Sequence, residues 1–169
     1  MRQWMAALGL LAMAAPAFGA PPIRNGGNIG LGLGATPHVM GLDVKYWMNP
    51  NLSAQAVIGL YELQGGLDPV RVGIDGDVLY EIAFVKGNET FDFGMNLGIG
   101  GLYGMDFEAP SLVAGGNLVV GLEGNIDAVP LDLSIDYRPT VFLYDDFDDG
   151  FDTYRLSFVE IGGHIRYWF

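Results

Sequence analysis

From Asn28 to Phe169, apolar residues recur at every second position in eight successive segments, separated by turn-forming residues. A period of two is the mark of a β-strand with one apolar and one polar face. Eight such strands with short connections predict an antiparallel up-and-down meander. An even count allows the sheet to close on itself, which removes the exposed strand edges. The expected fold class is therefore all-β: an eight-stranded β-barrel.

The first segment sets Ile29, Leu31, Leu33 and Ala35 against Gly30, Gly32 and Gly34. The second sets Met40, Leu42, Val44, Tyr46 and Met48 against Gly41, Asp43, Lys45 and Trp47. The third sets Leu52, Ala54, Ala56, Ile58 and Leu60 against Ser53, Gln55, Val57 and Gly59. Segments 70–84, 91–103, 112–123 and 131–143 continue the pattern. In the last, 154–169, Tyr154, Leu156 and Phe158 are out of phase with Ile161, Gly163, Ile165, Tyr167 and Phe169. That slip near Val159 and Glu160 predicts a β-bulge, with a membrane-embedded part of the strand below it.

The polar faces decide the orientation. They carry Gly and isolated charges of both signs, with few of the Lys and Glu residues that solubilise a surface. The lumen of an eight-stranded barrel is just wide enough for side chains to fill. A candidate lumen ion-pair network follows: Asp43, Lys45, Arg71, Asp75, Asp77, Glu81, Asp92, Glu123, Asp132, Asp136, Arg138, His164 and Arg166. The apolar face then meets lipid, and each segment is long enough for the roughly 9–11 residues of a transmembrane strand. Tyr46, Tyr80, Tyr103, Tyr137, Tyr144 and Tyr167 lie near segment ends, where aromatic girdles belong. Trp47 is a further girdle candidate but falls on the inward phase. The alternative orientation is a soluble barrel of lipocalin type, with an apolar cavity for a small ligand.

Residues 1–19 read as a signal peptide: Arg2, an apolar stretch from Trp4 to Ala15, then small residues before a cut at Ala20, with a cut after Ala17 as the alternative. Residues 20–27 form an N-terminal segment ahead of the barrel at 28–169. The formal net charge of −12 argues against nucleic-acid binding. With no cysteine there is no disulfide, thiolate metal site or Cys nucleophile.

The tail Gly163-His164-Ile165-Arg166-Tyr167-Trp168-Phe169 resembles the C-terminal targeting strand of outer-membrane barrels, which ends in an aromatic residue. The resemblance implies an assembly signal at Ile161, Gly163, Ile165, Tyr167 and Phe169, recognised by the barrel-assembly machinery. Residues 28–169 as a whole resemble the small barrels of the OmpA-transmembrane-domain and OmpX-like superfamily. The stretches 41–48, 98–101 and 130–133 are similar to a family of short, uncharacterised outer-membrane barrels known from spirochaetes and other diderm bacteria. The resemblance implies a monomer in the bacterial outer membrane, in contact with lipid and lipopolysaccharide, with both termini in the periplasm. Turns at 49–51, 86–89 and 124–129 are then periplasmic. Short loops at 36–38, 64–68, 105–111 and 145–152 face outward.

No catalytic constellation, cofactor site or metal site is expected. In the expected topology His38 lies in the first outer loop and His164 near the periplasmic end, so the two share no site. A lipid-modifying enzyme remains the alternative within the same membrane, but Ser111 is an unconvincing partner for His38. Five Asp between 145 and 152 fail the EF-hand spacing, leaving an acidic loop with at most weak affinity for Ca²⁺ or Mg²⁺. Gly30, Gly32 and Gly34 precede no helix and are structural, not a phosphate loop. The function expected is a non-catalytic barrel with a structural or surface-interaction role.

Overall fold

The computed structural model describes residues 28–61, 70–86, 91–107, 111–126, 129–145 and 155–169. The proposed signal peptide, the 64–68 loop and most of the acidic 145–152 loop lie outside them. Every element among the described residues is a strand: β1 (Ile29–Ala35), β2 (Val39–Asn49), β3 (Leu52–Tyr61), β4 (Arg71–Lys86), β5 (Phe91–Asp106), β6 (Leu112–Ile126), β7 (Leu131–Tyr137), β8 (Thr140–Asp145), β9 (Arg155–Ser157) and β10 (Ile161–Trp168). These ten strands make eight staves, because β7 and β8 are successive parts of one stave, and β9 and β10 of another. Each stave pairs antiparallel with the next from β1 to β7, and β7 pairs with β10. The β1–β10 seam, from Gly30↔Trp168 to Ala35↔Gly163, closes the ring. The result is the expected closed, eight-stranded antiparallel barrel.

Both breaks occur at one level. Pro139 has no N–H to give to a ladder, so the seventh stave is interrupted after Tyr137. Its carbonyl still accepts from Leu118 N at 3.1 Å. On the eighth stave, residues 158–160 leave the ladder, and Arg138 N donates to the Glu160 carbonyl at 3.0 Å. Val159 is turned fully outward at 93% exposure, while Glu160 is buried. The phase slip read near Glu160 is this break. The apolar exterior does not end there, however: Leu156, Phe158, Val141 and Leu143 are all exposed above it. The exposed apolar face therefore continues past the bulge. A second irregularity separates Ala83 from Val85 on β4.

The alternation dictates what faces where. Ile29, Leu31, Leu33, Leu42, Ile58, Ile74, Ile99, Leu118, Leu133, Ile135 and Ile165 are exposed. Their strand neighbours Asp43, Lys45, Asp75, Asp132, Arg138 and Arg166 are buried to 1% exposure or less. Trp47 follows its strand phase inward and packs near Trp168, ring centroids 6.3 Å apart, so it belongs to no outer girdle. The expected turn at 124–129 is shorter than read, because β6 continues in register to Ile126 opposite Leu131.

Candidate functional site

Reading up the inward face of β2 gives Trp47, Lys45, Asp43 and then Val39, and this order recurs across the interior as layers. In the lowest ionic layer, Lys45 Nζ lies 2.8 Å from Glu81 and also bonds Glu123. Ser53 donates to Glu81 at 2.6 Å. Asn96 and Asn125 donate to Glu123 at 3.5 and 3.4 Å. Arg166 reaches Asp132 at 3.2 Å, Asp43 at 3.5 Å and the Ser134 hydroxyl at 2.6 Å, and it bonds Gln55.

In the next layer, His164 Nδ1 is 2.8 Å from Asp43 and its Nε2 is 2.9 Å from Asp136. The form that can donate to both carboxylates is the imidazolium. Above it, the Arg138 guanidinium spans three acids: Asp136 at 2.7 Å, Asp77 at 2.8 Å and Asp75 at 3.4 Å. Asn117 donates to Asp75 at 2.9 Å. These contacts form two groups, one around Lys45 and one that runs from Asp132 through Arg166, Asp43, His164, Asp136 and Arg138 to Asp75, and they join staves remote in sequence.

In these contacts seven buried acids (Asp43, Asp75, Asp77, Glu81, Glu123, Asp132, Asp136) meet three buried bases (Lys45, Arg138, Arg166) and His164, and each base touches at least two of the acids. Such a cluster contributes little net stability compared with an apolar filling, since desolvation offsets the Coulombic attraction. Its consequence is that any one member, once removed, leaves buried charges without partners.

Two expectations for these residues need correction. Arg71 is not in the network: it sits at the end of β4, partly exposed, 3.5 Å from Asp106 on β5. The end of a strand lets its long side chain lean to the rim rather than across the lumen. His164 is not near the end of the barrel that carries the C-terminus: it pairs with Gly34, one position from the far end of the β1–β10 seam. Asp92 is buried inside as expected. The structure adds Ser53, Gln55, Asn96, Asn117, Asn125 and Ser134 as uncharged members that the charge pattern did not reveal.

Above the ionic layers the interior turns apolar. Val39, Val57, Tyr61, Leu102, Val113 and Phe142 form a buried cluster on the inward face. His38 lies against it, its ring 5.9 Å from Tyr61 and 5.0 Å from Phe142. His38 is therefore more than a loop residue. Its Nε2 is 2.8 Å from Glu160, whose other oxygen accepts from the Thr140 hydroxyl. This contact ties the β1–β2 turn to the break in the eighth stave, where β9 and β1 share no ladder. The carboxylate, not the imidazole, meets the hydroxyl, whereas nucleophilic catalysis needs the imidazole there. Glu160→Ala is expected to cost about 1–3 kcal/mol by removing the buried carboxylate that His38 and Thr140 share. Urea unfolding of wild type and variant in the same detergent measures it, and equal midpoints would remove the closing role assigned to Glu160.

Among the described residues, no group of three or more His, Cys, Asp or Glu side chains is arranged to hold a metal ion. Comparison with family models, curated proteins and solved structures gave no match.

Proposed function

We propose that this chain is a small outer-membrane barrel with a sealed interior, non-catalytic, acting in envelope structure or surface interaction. The observation that carries the reading is the inverted polarity of the wall: exposed Leu and Ile outside, ionisable side chains inside. In water that arrangement exposes apolar area and buries charge, each unfavourable. In a bilayer both become appropriate, since strands closed into a ring leave no backbone group unpaired. The same inversion disfavours a lipocalin-like carrier, because the lumen holds charges where an apolar ligand would sit. The tail from Ile161 to Phe169 fits an assembly signal, with Ile161, Ile165, Tyr167 and Phe169 all exposed. Export by the 1–19 leader and kinship with OmpA-like small barrels complete the proposal.

The decisive experiment is gel mobility of detergent-folded protein with and without boiling, together with membrane fractionation. The expected result is a heat-dependent shift and recovery in the outer-membrane fraction. No shift, with solubility in the absence of detergent, would overturn the membrane reading. Planar-bilayer recordings of the wild type should show no stable conductance, because the lumen is blocked by the ionic layers and again by the apolar cluster.

A further inference from the structure

Three neighbouring strands carry a glycine at one level of the outward face: Gly76 pairs with Gly101, and Gly101 with Gly116. The row continues as Val141 and Leu156. The adjacent rows carry full side chains, Ile99 and Leu118 below and Tyr103 and Tyr144 above. The missing side chains leave a trough in an otherwise filled apolar wall. At its Gly116 end, where it meets the strand breaks, Leu118, Pro139, Val141, Leu156 and Phe158 enclose a groove of about 450 Å³.

The trough is inclined. Traced round the barrel, the row that begins at Leu31 passes Val44, Ala56 and the three glycines and arrives at Leu156. Leu31's own partner on that stave is Tyr167, far lower. This stagger comes from strand tilt, and it slopes the trough from mid-wall up to the outer rim.

We infer that the groove holds one acyl chain of a membrane lipid in a fixed position, an inference that rests on the membrane reading above. Its lining is almost entirely carbon, so a polar or charged ligand gains nothing there. An unfilled void of this kind forfeits the dispersion contacts of its walls. In a bilayer the available filler is an acyl chain, slim, flexible and running roughly along the slope. A second barrel could use small residues to pack closely. Here, however, Gly116 shares its groove with protruding Leu118, Leu156 and Phe158, all more than half exposed. A broad barrel wall cannot enter between those rims, and a single chain can.

The test is native mass spectrometry of the full mature chain, folded in detergent with palmitoyl-oleoyl phosphatidylethanolamine. Collisional activation should strip the surrounding lipid and leave one phospholipid on the wild type. Gly116→Leu should lose that last lipid. A Cβ at Gly116 meets nothing nearer than the Gly100 carbonyl at 3.7 Å, so the barrel accommodates the change while the side chain fills the groove. Leu133→Phe, elsewhere on the wall, should retain the lipid. Equal retention by wild type and Gly116→Leu, or no retained lipid on a heat-shifting wild type, overturns the groove alone. A retained second copy of the chain, lost in Gly116→Leu, also overturns it. A protein that shows no heat shift and needs no detergent overturns the groove together with the membrane reading.

Discussion

Lys45→Met is expected to destabilise the folded barrel by about 3–5 kcal/mol, the range for breaking a buried charge cluster by removing one partner. Lys45 is fully buried, and from β2 it reaches across the lumen to both Glu81 on β4 and Glu123 on β6. Methionine keeps the length of the stem and removes the ammonium, so packing changes little while two carboxylates face each other in a low-dielectric interior. The measurement is the urea midpoint of the heat-shifting band in detergent micelles. The triple variant K45M/E81Q/E123Q separates charge from packing, since it removes both carboxylates with the lysine. It should recover most of the loss, because a cluster replaced as a whole is often neutral. A triple variant as unstable as the single one would show that the loss does not come from the two unpaired carboxylates.

That asymmetry also suggests why a barrel would hold ions that add little stability. The apolar exterior has no register of its own, since one exposed Leu or Ile row is equivalent to another. The inward side chains do discriminate, because Lys45 meets Glu123 only if β2 and β6 are staggered as observed. A slip of one residue on any stave would turn its charges outward. We regard the network as a device that selects one stagger among several, a role best attested for buried polar groups elsewhere.

The alternation made the fold readable before any coordinates. Leu31, Leu33, Ile58 and Ile99 each flagged an outward position, and closure followed from an even number of such strands. What escaped lay on the inward phase. Val57, Leu102, Val113 and Phe142 share that phase with charged neighbours, and nothing in a period of two says at which height a lumen turns from ionic to apolar. Nor does it say which charges meet: Lys45 and Glu123 are brought together by stagger, a property of the whole ring. The break at Glu160 was visible as a phase slip, yet its partner His38 was not, because the contact spans the open place between two staves. Arg71 read as a lumen base from phase alone, and its position at a strand end decided otherwise.

Gly32→Val is expected to prevent closure, so that most of the chain fails to acquire the heat-shifting form after dilution from urea into detergent. Gly32 lies in β1 between Asp43 of β2 and Arg166 of β10, on the seam that joins the first stave to the last. A Cβ at this position runs into the main chain of β10, at the Ile165 carbonyl and at Arg166 Cα 2.8 Å away. Side chains can rotate to relieve crowding, but a ladder strand cannot retreat without losing its hydrogen bonds. The cost therefore lies at or above the roughly 1–3 kcal/mol usual for overpacking. Gly116→Ala is the matched control, expected within about 0.5 kcal/mol of wild type because its new methyl group meets only the Gly100 carbonyl, at an ordinary contact distance of 3.7 Å. Folding of Gly32→Val at wild-type yield would mean that the β1–β10 seam is wider than described. The seam is also where the effect should be felt in time. It joins the ends of the chain, so its contacts bear the largest loop-closure entropy and gain least from local structure already formed. A barrier placed there should slow the appearance of the closed form more than it speeds its loss.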